Sequence, residues 1–393
     1  MINPISRTRE WILESCNRNS IKDPTLLEKT IRAFSLLEAL AKSGCPFLFK
    51  GGSALMLQLG CTQRLSVDID IVCPPGTDVI AYLTPFAEEY GFGEIRHTER
   101  QSRNNVPKTH AKCFYQVSYV TNTALEKILL DVLFEDNWYS KVEKLAIESP
   151  FLSLEGEPYF VNLPSKDDLL GDKLTAFAPN TTGIPYIKKT VNRFGEIEER
   201  DCSMEIIKQL FDVASLFDRI DDLTTARETF EKIAPIELEY RGMDKDNLDV
   251  ILDDIYKTSE LICTGLYTND RSFEYQQLTK GIKRIQSLII SENYNHYSAI
   301  VNASKAAYLA VLLKNGINEV KHYSPGIDLR ALKVEAPIHP AINKIKSFRP
   351  EAFFYWTEIQ KLNMYTINLV TSQVTEKWEP LEFALNVRNM LKD

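Results

Sequence analysis

The stretch LFKGGSALMLQLGCTQRLSVDIDIV, residues 48–72, decides the fold of this 393-residue chain. An apolar run ends in a Gly-Gly-Ser turn at residues 51–53, and a second apolar run then contains two aspartates, Asp68 and Asp70. Because side chains alternate along a strand, both aspartates point to the same face of the predicted strand. Two carboxylates placed there repel each other and lose hydration, so the pattern predicts a positive group between them.

A third carboxylate strengthens this interpretation. An isolated Asp-x-Asp triplet is more often the polar face of a surface strand, but Asp131 lies inside another apolar run, KILLDVLF (127–134). It could be satisfied by a neighbouring lysine, or it could join Asp68 and Asp70 around a hard divalent cation such as Mg²⁺. Three carboxylates suit metal-assisted phosphoryl or nucleotidyl transfer, in which two metal ions activate the attacking hydroxyl and neutralise the leaving pyrophosphate.

The glycines upstream of the aspartates indicate an anion site. Gly51 and Gly52 form the predicted turn, and Ser53 is predicted to cap a short helix, ALMLQL, that ends at Gly60. Free N–H groups at a helix start bind anions, and a backbone without Cβ lets a phosphate approach closely. The same residues could be simply a turn and a cap, and the two roles are compatible.

Composition and charge limit the class of protein. A hydrophobic content of 44% and a charged content of 25% are those of an ordinary soluble globular protein, long enough for two or three domains. The polar start and the lack of a long apolar run predict a cytoplasmic chain with no membrane partner. The seven cysteines are scattered without a CxxC pair, which predicts reduced and mostly buried thiols.

The net charge of −8 makes this chain a poor non-specific binder of nucleic acid. A polyanionic substrate would therefore need a local basic surface. One candidate is RHTERQSRNNVPKTHAK (96–112), which could equally be a solvated loop between strands. Its basic residues are Arg96, Arg100, Arg103, Lys108 and Lys112.

Hydrophobic periodicity predicts an α+β protein, with helices and strands mixed in its first part. We expect an α/β domain over residues 1–164 and a mainly helical domain over residues 165–393. A Pro-, Thr-, Asn- and Gly-rich segment at 178–196 is predicted to be a long loop. The individual predictions are helices at 26–43, ended by Gly44, and at 78–90, and strands at 47–49, 67–73, 93–99, 111–120 and 126–134.

The order helix, strand, GG[ST], short helix, R-x-S-x-D-I-D strand resembles the nucleotidyltransferase superfamily of the DNA polymerase β type. Within it, GGSALMLQLGCTQRLSVDIDI is similar to the AbiEii/AbiGii toxin family, whose usual form reads approximately GGTAL and then R-x-S-x-DIDL. Arg64 and Ser66 fall on the Arg and Ser of that motif, and KILLDVLF resembles the strand that carries its third carboxylate, here Asp131.

Two later segments extend the resemblance, which covers pieces of residues 27–217. SKDDLLGDKLTAF (165–177) resembles a family helix whose lysine corresponds to Lys173, and EIIKQLFDVASLF (205–217) resembles the K-D-x-x-D helix, giving Lys208 and Asp212. This second helix departs from the family pattern, because Ile206 and Gln209 stand where an Arg and an Asp are common. The departure leaves the role of that helix open.

The resemblance implies a role for each matched residue. Asp68, Asp70 and Asp131 would bind Mg²⁺ or Mn²⁺, with Asp131 also helping to deprotonate the acceptor hydroxyl. The other catalytic candidates are Lys173, Lys208 and Asp212, and the nucleotide-binding candidates are Gly51, Gly52, Ser53, Arg64, Ser66 and Lys173.

Several of these residues also have simpler interpretations. Arg64 could reach a triphosphate or could pair with Asp68 to hold the loop. Lys173 could neutralise a triphosphate or could be a surface lysine. Lys208 and Asp212 lie four residues apart, so they could form an ordinary i,i+4 ion pair on one helix face.

The function implied by the resemblance is that of a Mg²⁺-dependent nucleotidyltransferase that moves a nucleoside monophosphate from an NTP onto an acceptor hydroxyl. It implies a toxin of a toxin–antitoxin or phage-defence system, with an AbiEi-like antitoxin as partner and the 3′ end of tRNA as acceptor. The alternatives are the same chemistry on a small molecule such as an antibiotic or on a protein hydroxyl, and a non-catalytic nucleotide-binding module. Three mutually repelling carboxylates argue against the last.

Overall fold

A computed structural model describes residues 1–98, 108–118, 124–191 and 196–377. Arg100 and Arg103 of the basic candidate segment lie outside these residues. No helix in the described part of the chain is both long and apolar enough to span a membrane. The seven cysteines are all buried, which confirms that expectation for the thiols.

A mixed sheet carries the aspartates. Within the described residues, its five strands lie in the order β1-β2-β5-β4-β3, with β2 parallel to β5 and the other neighbours antiparallel. The α+β prediction is therefore confirmed. The strands are β1 (Leu48–Lys50), β2 (Ile69–Cys73), β3 (Glu94–Thr98), β4 (Lys108–Gln116) and β5 (Leu125–Phe134).

Helices of the first part include α1 (Arg9–Arg18), α2 (Pro24–Lys42), α3 (Gly51–Gln58) and α4 (Val79–Leu83). In α2 the Asp23 side chain caps the first turn by accepting hydrogen bonds from backbone N–H groups, and an apolar stripe of the helix is buried in the core. The helix ends just before Gly44, as predicted. Where a helix was predicted at 78–90, the structure has the shorter α4, followed by a single 3₁₀ turn.

The second part of the chain is mainly helical. The antiparallel pair β6 (Val142–Ala146) and β7 (Phe160–Pro164) comes at the end of the first part, and a second antiparallel pair, β8 (Ile187–Val191) and β9 (Ile197–Asp201), interrupts the helices. Part of the loop predicted at 178–196 is thus strand, and that prediction was wrong because IKKTV and IEERD lack apolar alternation. The helices are α5 (Lys166–Ala176), α6 (Ser203–Phe217), α7 (Thr224–Tyr240), α8 (Asp249–Thr268), α9 (Phe273–Arg284), α10 (His296–Lys314) and α11 (Pro350–Lys377).

Helix α3 begins three residues earlier than predicted. It starts at Gly51, and Ser53 lies inside its first turn with 1% of its surface exposed. The Ser53 hydroxyl donates a hydrogen bond to the backbone carbonyl of Asp68, so it does not cap the helix. This bond ties the first turn of α3 to the segment that enters β2. The prediction of a Ser53 cap was therefore wrong.

Gly51 is required for two separate reasons. Its φ of +77° is in the left-handed region, and a Cβ there would lie 2.2 Å from Asp70 Oδ2. The same left-handed backbone occurs at Gly60, φ +66°, where nothing lies within 4 Å of an added Cβ. The Gly60→Ala substitution therefore measures the free-energy cost of the left-handed backbone alone.

We expect Gly51→Ala to lower the free energy of unfolding clearly more than Gly60→Ala does. The left-handed backbone costs about 1–2 kcal/mol in either variant, and Gly51→Ala adds the clash with Asp70. Urea denaturation of both variants and the wild type measures the difference. Equal losses would contradict the close approach of α3 to β2.

Candidate functional site

The structure brings two of the three predicted carboxylates together as cross-strand neighbours. Asp70 is the second residue of β2 and lies directly opposite Asp131 on the parallel strand β5. Asp68 comes just before β2, and its pKa is raised by burial and by the charge on Asp131, against the opposing effect of Lys208. Three acidic groups are thus held within electrostatic reach of one another at the entrance to β2.

The start of α3 lies against this acidic group. An added Cβ at Gly51 would meet the Asp70 carboxylate, and one at Gly52 would lie 2.7 Å from Arg64 Nη2 and 3.0 Å from Ser66 Oγ. The first-turn N–H groups, which have no partner within the helix, therefore have a carboxylate on one side and a guanidinium on the other. A phosphate bound at the start of α3 would lie between the Asp70 carboxylate, a group that can bind a metal ion, and the Arg64 guanidinium.

Arg64 is held by a buried carboxylate of the helical region. Its Nε and Nη2 donate to the two oxygens of Asp212 at 2.6 and 2.7 Å, and Lys173 Nζ lies 2.9 Å from Asp212 Oδ2. Burial raises the pKa of Asp212, but the charges of Arg64 and Lys173 outweigh it and lower that pKa below its usual value. Among the described residues, Arg64 pairs with Asp212 and forms no ion pair with Asp68.

Lys173 is buried, so its interpretation as a surface lysine was wrong. Only 6% of its surface is exposed, and Nζ also donates to Gln209 Oε1 at 2.9 Å. Gln209 is one of the positions at which the sequence departs from the family pattern, and here it provides a neutral acceptor. Two cations, Arg64 and Lys173, thus share one carboxylate and leave a positive surplus near the start of α3.

Among the described residues, Lys208 is the cation of this group for which the structure shows no bonded partner. In the part of the chain that the structure describes, no acceptor or carboxylate lies within bonding distance of its Nζ, so the i,i+4 ion pair with Asp212 is not formed. Burial and the charge of Arg64 lower the pKa of Lys208, while Asp68 opposes this effect. A desolvated cation beside a helix start is suited to binding an anion.

Sequence reasoning missed two side chains that contact the site. His110 on β4 lies opposite Asp131, and its Nδ1 is 2.5 Å from Asp131 Oδ1. Lys50, at the end of β1, is the cross-strand neighbour of Asp70, and its Nζ lies 3.5 Å from Asp172 on α5. The predicted strand started at residue 111, one position too late to include His110; the alternation in KTHAKCF was the signal for it.

The donor chemistry fits a hard divalent cation, because all three candidate ligands are carboxylates. The side chains are not yet arranged as a complete ligand set. Across the described ranges, no three Asp, Glu, His or Cys side chains converge on one point as a metal site. Asp70 and Asp131 are already adjacent on the sheet, and binding of a shared ion would require these side chains and that of Asp68 to turn toward it.

Comparison with known proteins defines the class as nucleotidyltransferase. The family described as "Nucleotidyl transferase AbiEii toxin, Type IV TA system" matches residues 35–278, more than half of the chain. The chain belongs to this AbiEii family of toxins from type IV toxin–antitoxin systems. The match covers every site residue discussed above.

Solved structures and curated proteins add little. The crystal structure of JHP933 from Helicobacter pylori is 13% identical, with 74% of this chain and 94% of that chain covered and a TM-score of 0.38. A putative nucleotidyltransferase from H. pylori is 15% identical, with 74% and 96% covered and a TM-score of 0.38. The search of curated proteins found no match.

We expect Asp212→Ala to lower the free energy of unfolding by roughly 3–5 kcal/mol, because it leaves Arg64 and Lys173 buried without their carboxylate. Asp246→Ala, on an exposed turn, is the matched control and should change stability little. Since folding lowers the pKa of Asp212, its contribution is complete above its ordinary pKa of 3.8 and is lost as the pH falls through the lower folded value. Urea titrations at pH 7 that gave equal losses for both variants would contradict this assignment.

The two lysines should respond differently to replacement by methionine. Lys208→Met removes a desolvated cation that has no partner among the described residues, so we expect an unchanged or higher unfolding temperature. NTP affinity should fall by roughly 10-fold or more. Lys173→Met removes an ion pair with Asp212 and should lower the unfolding temperature. Thermal unfolding and nucleotide titration measure both effects. A strongly destabilised Lys208→Met would mean that this side chain is structural.

Proposed function

We propose that this chain transfers a nucleoside monophosphate from an NTP to an acceptor hydroxyl, and that the acceptor is the 3′ end of tRNA. The observation that carries the proposal is the placement of Asp70 and Asp131 side by side on the sheet, with the glycine start of α3 directly against Asp70. Membership of the AbiEii family supports the reaction class. The acceptor rests on the resemblance alone.

In this proposal Asp68, Asp70 and Asp131 hold Mg²⁺ or Mn²⁺. When bound, the ion supplies Lewis acidity to the phosphoryl group and neutralises charge on the leaving pyrophosphate. Asp131 also takes the proton of the acceptor hydroxyl. The acceptor oxygen forms a bond to the α-phosphorus, and the bond from that phosphorus to the pyrophosphate oxygen breaks, so the electron pair leaves with pyrophosphate.

The triphosphate would be bound by the positive side of the site. The backbone N–H groups of Gly51 and Gly52 lie at the start of α3, where a phosphate could accept hydrogen bonds from them. Arg64 lies beside Gly52, and its hydrogen bonds to Asp212 hold its orientation. Lys208 provides the unpaired charge that the phosphates would neutralise. Ser53 would contribute its N–H rather than its hydroxyl, which already donates to the Asp68 carbonyl.

Membership of the AbiEii family supports a proposal for the biological setting. As a toxin of a type IV system, the chain would act in the cytoplasm, be countered by an AbiEi-like antitoxin and serve in phage defence. Of the candidate basic surface at 96–112, the described Arg96 is exposed and pairs with Glu94 at 2.5 Å on β3. Transfer RNA would need further basic contacts beyond this segment.

Incubation with total bacterial RNA and NTPs labelled at the α-phosphate tests the proposal. We expect Mg²⁺-dependent incorporation of label into tRNA that a chelator abolishes. Asp70→Asn should lower the transfer rate by more than roughly 100-fold, because loss of a residue that only hydrogen-bonds a metal ligand already costs 10–100-fold in activity. Asp246→Asn is the matched control and should retain full transfer.

Three results would decide against parts of this proposal. Label in protein or in an added small molecule, with none in tRNA, would show that tRNA is not the acceptor. Full transfer activity in Asp70→Asn would contradict the role of these carboxylates as metal ligands. If the wild type and Asp70→Asn, both folded, allow equal growth when expressed without antitoxin, the chain is a nucleotide-binding module rather than a toxin.

A further inference from the structure

Asp131 has a different neighbour on each side of the sheet. Strand β5 lies between β2 and β4, so Asp131 has Asp70 as its cross-strand neighbour on one side and His110 on the other. The His110 Nδ1 and Asp131 Oδ1 are in direct contact, with 25% and 23% of the two side chains exposed. The nucleotidyl-transfer mechanism proposed above makes no use of His110.

We infer that His110 is a positioning residue for Asp131: its Nδ1–H donates to Oδ1 and holds the carboxylate so that the other oxygen can be presented toward Asp68 and Asp70. This inference rests on the proposed function, since it assigns His110 a part in the same metal-binding site. A carboxylate has two oxygens with several acceptor directions, so one can accept from a histidine while the other binds a metal.

The argument is one of charge and geometry. Three carboxylates close together repel, and without a ligand Asp131 is driven to turn away from Asp70. A hydrogen bond from the β4 side anchors Oδ1 and limits how far the carboxylate can turn away, while its second oxygen stays available to a bound ion. Residues that hydrogen-bond a metal ligand in this way fix its orientation and are typically worth 10–100-fold in metal affinity or activity.

Three substitutions of His110 separate positioning from simple packing. The amide nitrogen of asparagine falls near the place of Nδ1, whereas that of glutamine reaches farther, toward the place of Nε2. His110→Ala removes the donor, His110→Asn restores it and His110→Gln misplaces it. Gln116→Ala, an exposed position farther along the same face of β4, is the matched control.

The primary measurement is Mn²⁺ binding to the purified full chain without NTP, by calorimetric titration, with kcat and KM for the NTP as the second measurement. We expect His110→Ala to weaken Mn²⁺ binding and lower kcat by roughly 10–100-fold with KM for NTP little changed. His110→Asn should recover most of both losses and His110→Gln should not. Gln116→Ala should match the wild type.

Unchanged Mn²⁺ binding in His110→Ala, or equal losses in the Asn and Gln variants, would overturn the inference. If the Ala variant does not fold, as judged by circular dichroism, the comparison of Asn with Gln decides. Mn²⁺ binding that depends on His110 in a wild-type chain without transfer activity would refute the proposed function and leave the positioning role standing. A wild type that does not bind Mn²⁺ would overturn both.

Discussion

One buried carboxylate, Asp212, holds the candidate site together. It accepts two hydrogen bonds from Arg64, which precedes β2, and pairs with Lys173 on α5, while lying itself on α6. Three segments far apart in sequence therefore meet at a group that is 1% exposed. Arg64 and Lys173 together offset the cost of burying Asp212, so these contacts tie the loop before β2 to the helical region.

The electrostatics on either side of α3 are unfavourable in the free protein and suit a bound ligand. On the sheet side, Asp68, Asp70 and Asp131 repel one another. On the helical side, Lys208 is desolvated and its pKa is lowered. Structures retain such costs mainly at functional sites, and a metal ion with a triphosphate would neutralise both sides together.

The sequence predicted the parts of this site that depend on local patterns. Alternation and the Asp-x-Asp triplet located β2, and the resemblance to AbiEii proteins was confirmed by the family match. The sequence could not identify the partner of Arg64, because Asp212 lies 148 residues away and any other buried carboxylate could pair with an arginine equally well. Ser53 was misassigned because a cap and a buried hydroxyl bonded across to the next segment look alike in sequence.

A crystal structure with Mg²⁺ and a non-hydrolysable NTP analogue tests the central claim most directly. The account predicts an ion within about 2.1 Å of oxygens from Asp70 and Asp131, and the triphosphate against the first turn of α3. It also predicts a phosphate oxygen in contact with Lys208. An ion or nucleotide bound elsewhere, with these two carboxylates uncoordinated, would contradict it.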